Sequence, residues 1–324
     1  MNNILNESHT QAIGAFVAGS ILMVCLGYKR WHQETKAMID KIVHDECVSG
    51  FNDKHEIYIH DTLNSLPLAI QQYLRKVLFL VDDYDNGKDY IMNKPLAIIK
   101  TMECKQDGSI SNKGTWLNLT AEQVSFASPV DPGFVWSCKA PICPSIPLLR
   151  KLNIFARDSY VNGAGELSVS ALGLVPLTKV SGTPEASTAE LLRWLAEAPF
   201  YPTCFLPQSG ASIHWVKDTK QMKGPWSEHY GQFARGQVSD NDDRVVAEVQ
   251  YNFDEDGLIS SIRAYRMKDE NDSRLSPWEC LLRNYEVVDG MLIPVDVDVG
   301  YWVDEKLEVY FKGHYSDFKF KYFE

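Results

Sequence analysis

Between Val245 and Phe253 the odd-numbered residues Val245, Ala247, Val249, Tyr251 and Phe253 are apolar, and Glu248, Gln250 and Asn252 stand between them. A period of two sends alternate side chains to opposite sides of a pleated strand, which a helix cannot do. Asp254-Glu255-Asp256-Gly257 then turns the chain into Leu258–Met267, which reads as a hairpin. Val295, Val297, Val299, Tyr301 and Val303 repeat the pattern, and Leu307–Tyr322 reads as one or two further strands. The rhythm begins near Pro95. Alternation of this kind belongs to antiparallel sheets with one face on a core and one in water. The fold class is therefore mainly β, with a minority of helix (α+β).

Three helices are expected. Trp31–Val48 carries Met38, Ile42 and Val43 on one side, with Glu34, Lys41 and Asp45 elsewhere. Leu66, Ile70, Tyr73, Leu74, Val77 and Leu78 mark a second helix over about 66–80, with Pro67 in its first turn. Ser187-Thr188-Ala189-Glu190 reads as a capping box opening a third over 188–198, ended by Pro199. Three prolines in Pro199–Pro207 argue against regular structure there. Gly50–Thr62 reads as a linker and Asp82–Lys88 as a charged loop.

The chain start is different. Ala12–Tyr28 holds no charged residue, and a helix of that length spans about 25 Å. No Lys or Arg precedes it, which disfavours a cleaved signal peptide. The expectation is a single-pass transmembrane helix at 12–28, after a tail at 1–11, with a juxtamembrane helix and linker at 29–62 and one β domain at 63–324. Lys29, Arg30 and Lys36 follow the run, so the positive-inside rule puts that domain in the cytoplasm. Seven cysteines with no CxxC pair fit a reducing compartment. Asn118-Leu119-Thr120 and Asn271-Asp272-Ser273 are glycosylation triplets, relevant only in a lumenal setting. A net charge of −11 and the absence of a Lys/Arg stripe exclude nucleic acid as a partner class.

Several motifs coincide with a known family. Among them are Leu66-Pro67 with Tyr73-Leu74-Arg75, Pro132-Gly133-Phe134-Val135-Trp136, Arg157-Asp158-Ser159-Tyr160-Val161-Asn162-Gly163, Glu190–Pro199 and Pro277-Trp278-Glu279. From about Leu66 onward the chain resembles an uncharacterised, mainly bacterial domain-of-unknown-function family, numbered 6544 and also 6920. That resemblance brings no activity with it. The closing pattern, a strand into Asp289-Gly290 and out through Ile293-Pro294, is also similar to the half-barrels of bacterial lipoprotein carriers. The second resemblance implies a bent antiparallel sheet with helices in its concave side and an apolar cavity suited to acyl chains.

No GxSxG elbow occurs, and Gln208-Ser209-Gly210 is followed by no helix signal. His214 lies between Ile213 and Trp215, in a strand-like setting. The eight His residues show no metal-binding spacing, and neither a metal nor a cofactor is implied. Arg193 lies three residues after Glu190 and four before Glu197, so both carboxylates can reach it on one helix face. A surface ion-pair ladder is the plain reading. The sharper one buries Arg193 and Glu197 in the concavity as a head-group site, completed by Arg157, Asp158 and Glu122, with Trp136, Trp194 and Trp278 supplying apolar walls. The expected function is binding of a lipid or other apolar small molecule in a concave cavity beside a membrane. The alternatives are a hydrolase-like enzyme acting on a lipid-like substrate through Arg193, Glu197 and Asp158, and a membrane-linked scaffold.

Overall fold

The structure is a computed structural model. It describes residues 2–44, 63–83, 88–91, 94–112, 114–128, 131–142, 146, 152–207, 213–217, 220–226, 231–239, 244–268 and 274–323. The Gly50–Thr62 linker, Cys47, Cys143, Gln208-Ser209-Gly210 and the Asn271 triplet lie outside these residues.

The alternating segments form one antiparallel sheet of 13 strands. In chain order its strands are β4 (Ile99–Asn112), β5 (Thr115–Phe126), β6 (Gly133–Pro141), β7 (Asn153–Val161), β8 (Ala164–Ala171), β9 (Val175–Ser181), β10 (His214–Trp215), β11 (Phe233–Ser239), β12 (Val245–Phe253), β13 (Ile259–Arg266), β14 (Ser276–Val288), β15 (Met291–Val303) and β16 (Lys306–Tyr322). Their spatial order runs from β10 through β16, then β4 through β9. Strands β9 and β10 are the edges and do not pair with each other, so the barrel is unclosed. A small sheet of β1 (Leu80–Asp83), β2 (Lys88–Ile91) and β3 (Lys94–Pro95) precedes it. The expected Asp82–Lys88 loop is thus shorter, since both its ends enter strands.

Bulges bend the sheet. Register shifts fall between Val238 and Ser239, Asn252 and Phe253, Val299 and Gly300, Ser316 and Lys319, and Val169 and Ser170. Each extra residue kinks its strand and increases the local twist. The two longest strands, β4 and β16, also oppose Gly108 to Gly313. A Cβ on Gly108 would lie 2.6 Å from the Lys312 carbonyl oxygen, so the close approach there needs glycine.

Among the described residues three α-helices accompany the sheet: α1 (Asn2–His44), α2 (Leu68–Val77) and α3 (Pro184–Ala196). Helix α3 touches β6, β7 and β8, and also β12 and β13 from the far arm. One short helix can meet both arms only if the sheet wraps around it, which puts α3 on the concave side. Helix α2 joins it there, with Tyr73 edge-on to Phe205 and Phe253. The residues after α3 form two short 3-10 turns, Ala198–Phe200 and Pro202–Phe205, where irregular chain was expected. Trp194, Tyr201, Phe200 and Phe205 are all at most 1% exposed, and Phe200 stacks on Tyr315 at 4.5 Å. The hollow expected to receive a ligand is filled with the protein's own rings.

Cap details differ from the sequence reading. Pro67 is the N-cap of α2 and stands just before its first turn. Thr183, not Ser187, caps α3, and its hydroxyl accepts from the Ala186 amide at 3.1 Å. Ser187 sits inside the helix and accepts from the Gly165 amide of β8. The capping box is therefore not formed; Pro184 at N1 fixes the start one turn earlier.

The transmembrane anchor at 12–28, with its cytoplasmic domain, is overturned. Among the described residues no helix is long and apolar enough to cross a membrane. The uncharged run is continuous with the charged half of α1, and its last residues are spent on the sheet. Gly27 lies so close to β8's end that a Cβ would fall 2.5 Å from the Leu172 carbonyl oxygen and from the Leu174 side chain. The Tyr28 hydroxyl accepts from the Asn153 amide, and its ring meets Phe155 edge-on. Trp31 and Ile42 are buried further along. The charged half of α1 lies across β5, β6 and β7 on the convex side.

Gly27→Val forces side-chain atoms into that contact, an overpacking cost of about 1–3 kcal/mol. Trypsin is expected to cut α1 at Lys29 to Lys41 several-fold faster in the variant, while the main denaturation midpoint moves little. An unchanged cleavage rate would mean that Gly27 does not hold the helix.

Candidate functional site

The sheet divides the expected site residues into two sets. Trp136 on β6 is the register partner of Asp158 on β7, so both project to the concave side. Arg193 on α3 reaches them there. Its Nε donates to Glu197 Oε1 at 2.9 Å and its Nη1 to Asp158 Oδ2 at 2.8 Å. Gln123 Oε1 accepts from Nη2 at 3.4 Å, and the Gln123 amide donates back to Glu197 Oε2. Gln106 donates to Gln123 and accepts from Trp136 Nε1 at 2.8 Å. The guanidinium also lies over the Phe134 and Trp136 rings, at 4.7 and 5.1 Å. This is a buried, largely satisfied network, not a surface ladder.

Glu190 turns elsewhere. Its Oε1 lies 3.6 Å from Arg266 Nη2 on β13, and Arg266 lies over the Trp278 ring. Glu190 Oε2 and Arg266 Nε are buried with no hydrogen-bond partner. Burial, reinforced by the Asp158 charge, pushes the Glu190 carboxyl up to about 8. Burial also raises Asp158, against the pull of Arg193 and Arg266. Trp194 is apart from the charges: it is fully buried and donates to the Phe126 carbonyl.

The two thiols beside this network are not activated. Burial pushes the Cys104 thiol up, and takes Cys138 to about 12, so neither is a thiolate at neutral pH. Among the described residues no group of His, Cys, Asp and Glu could hold a metal ion.

Arg157 and Glu122 are on the other face, away from Arg193. A strand reverses its side chains at each residue, so neighbours Arg157 and Asp158 cannot share a face. The register runs Lys105–Glu122–Ser137–Arg157 across β4, β5, β6 and β7, making one rung on the convex side. Helix α1 lies over the Arg157 end of this rung, and Trp31 Nε1 donates to Ser137 Oγ at 3.3 Å. Beside α1 a groove of about 800 Å³ opens. Trp31, Thr35, Lys36 and Ile39 form one wall, and Ser316, Asp317 and Lys319 of the β16 bulge are at the other side. Glu103, Lys105, Thr120, Glu122, Val124, Val135, Ser137, Lys139 and Phe155 lie between. Trp31, Thr35 and Ile39 recur every four residues, a helix stripe legible in the sequence but absent from the expected site. Gln106, Gln123 and Arg266 were also missed, since only strand register reveals them.

The model of DUF6920, a family of unknown function, matches residues 64–320. The chain belongs to that family. No curated protein matches the chain. Among solved structures it is similar to a LolA superfamily protein from Nitrosomonas europaea, with 10% identity, 68% of this chain and 86% of that one covered, and a TM-score of 0.36. A DUF1329 family protein from Desulfovibrio piger is similar at 10% identity, 68% and 86% coverage and a TM-score of 0.37. A domain described as an outer membrane lipoprotein-sorting protein, from Vibrio parahaemolyticus, gives 10%, 68%, 85% and 0.36.

Two outcomes are expected from the buried network. Arg193→Met strands Glu197 and Asp158 without their cation and is expected to cost about 3–5 kcal/mol in urea unfolding; a loss under 1 kcal/mol would show the network to be ornamental. Glu190 binds its proton more tightly folded than unfolded, so its contribution is complete below the ordinary Glu range and is lost as pH rises towards 8. Glu190→Gln should flatten the fall in stability between about pH 5 and pH 8. A wild-type curve already flat there would refute this.

Proposed function

We propose that this protein binds a small amphipathic molecule of the lipid class in the groove between α1 and the convex face of the sheet. One observation carries the reading: the groove's volume of about 800 Å³ falls in the range of small-molecule sites, while the concave side holds the buried cluster of Trp194, Phe200, Tyr201 and Phe205. Its composition supports it too. Ile39 and Val124 offer apolar surface, the buried Trp31, Val135 and Phe155 back it, and Lys36, Lys105, Lys139, Glu103 and Glu122 surround it with charge. A molecule with both a tail and a polar head fits such a lining better than a pure hydrocarbon does. The hydrolase-like alternative loses its support, because Arg193, Glu197 and Asp158 are engaged with one another and the thiols beside them, Cys104 and Cys138, are held protonated by burial.

The test is direct. Native mass spectrometry of the gently purified full chain should reveal co-purifying lipid, and a fluorescent long-chain probe should bind. Val124→Trp places an indole on the groove floor and should weaken probe binding by about tenfold or more. Equal binding by this variant, with normal folding, would remove the groove from consideration.

A further inference from the structure

The exposed apolar side chains of this protein are not scattered. Among the described residues twelve large ones are exposed, and eight of them gather along one rim of the sheet. The register sets the β4–β5 turn, the β6–β7 loop and the β8–β9 turn side by side at that rim. Trp116 stands at the first, Ile142 and Ile146 in the second, and Val175 and Leu177 just after the third. Helix α1 passes the same rim at Gly27, where a Cβ would meet Leu172 and Leu174 of the β8–β9 turn. Ahead of that contact it carries Leu22, Met23 and Leu26. These eight side chains are 37 to 59% exposed. Scattered singly, exposed apolar residues are ordinary; gathered on one rim, they mark an interaction surface.

Charge is as unevenly placed. The chain has 43 acidic residues and a net charge of −11, yet the four runs that supply this rim, 8–33, 108–121, 132–157 and 167–184, contain no Asp or Glu. Cations remain there. Lys29 follows Gly27 closely, Lys139 is two residues from the end of β6, and Lys312 lies over the Trp116 ring at 5.4 Å. All three are exposed, and among the described residues none of them makes an ion pair. Acid returns only at the next turn along the rim, between β15 and β16, with Asp304 and Glu305.

We propose that this rim docks on the surface of a lipid bilayer carrying anionic head groups, resting on it without crossing it. Apolar side chains enter the boundary of the acyl region while the lysines meet the head-group charge, and the two attractions add. The Trp116 indole, with an apolar body and an N–H, suits that boundary. A second copy of this chain is a poor occupant, because two such rims would set lysine against lysine with no carboxylate between them. Contacts that come from a helix, two turns and a loop also suit a fluid surface, which conforms to them. Lys139 and Phe155 line the groove and stand two residues from this rim, so a lipid drawn from the surface has a short path into it. The docking itself does not depend on the groove reading.

The experiment is co-sedimentation of the full chain with vesicles of phosphatidylcholine, either alone or with about 30% phosphatidylglycerol. The mixed vesicles should bind it about tenfold or more tighter at low salt, and the preference should shrink as salt rises towards about 0.5 M. Lys29→Gln should weaken binding to the mixed vesicles about fivefold. Leu22→Gln combined with Leu26→Gln should weaken it about tenfold or more, and the exposure of both side chains keeps folding out of the comparison. Val287→Gln, exposed at the opposite rim, should bind like the wild type. Equal binding to both compositions, binding untouched by the paired leucine change, or an equal loss with Val287→Gln would each overturn the proposal. Absence of binding to the mixed vesicles would also overturn it, and would leave the rim to an acidic protein partner.

Discussion

An open sheet of this length has two free arms, and something must hold them in place. Helix α3 does so. Arg193 bonds Asp158 on β7, and one turn earlier Glu190 faces Arg266 on β13. The Tyr251 hydroxyl of β12 donates to the Leu195 carbonyl of the same helix. The helix thus makes an ion pair with β7 on one side and sets Glu190, which burial holds protonated up to about pH 8, against Arg266 of β13 on the other. In a low-dielectric interior the charges of Arg193, Asp158 and Glu197 attract strongly, but each also carries a large desolvation cost. Their mutual pairing is what allows them to stay there. The filled concave side follows from it, since the helix that ties the arms together also occupies the space between them.

With the concavity packed, the open space moves to the convex side, where α1 crosses the sheet. The groove exists because a helix is round and a sheet is broad: α1 lies across β5, β6 and β7 while β4 and β16 continue past it. The far arm shows the opposite outcome. There residues 220–226 cover β12, with Met222 donating its amide to Gln250 Oε1 and Trp226 packed on Tyr265. Gln250 and Asn252 are consequently fully buried and bonded to one another and to Ser261. The same convex surface is sealed at one end and accessible at the other.

Much of the fold could be read directly. The alternation at Val245–Phe253 and Val295–Val303 became β12 and β15, and Val249, Tyr251, Val295 and Val297 face the core as expected. Asp254–Gly257 makes the turn, with Gly257 at φ +76 and Asp254 Oδ1 accepting from the Leu258 amide. Asn252 broke the expectation, because alternation cannot tell a solvated face from one that a distant strap covers. The candidate site was half legible. Helical spacing brought Arg193 and Glu197 together correctly, because those contacts are local. It could not keep Arg157 from being grouped with Asp158, although pleating sends adjacent residues to opposite sides.

By itself the sequence determined the element types, the sheet's antiparallel character, the ion pair along α3 and the membership of the family. Those depend on residues a few positions apart, where periodicity and turn chemistry act. Tertiary structure decided what the uncharged start of the chain becomes, which face carries the open groove, and that Arg157 and Arg193 lie on opposite sides of the sheet. Those outcomes depend on contacts such as Gly27 with Leu172 or Glu190 with Arg266, between segments far apart in the chain. No local pattern encodes them, because burial and charge pairing are settled only when the whole sheet has closed around its helices.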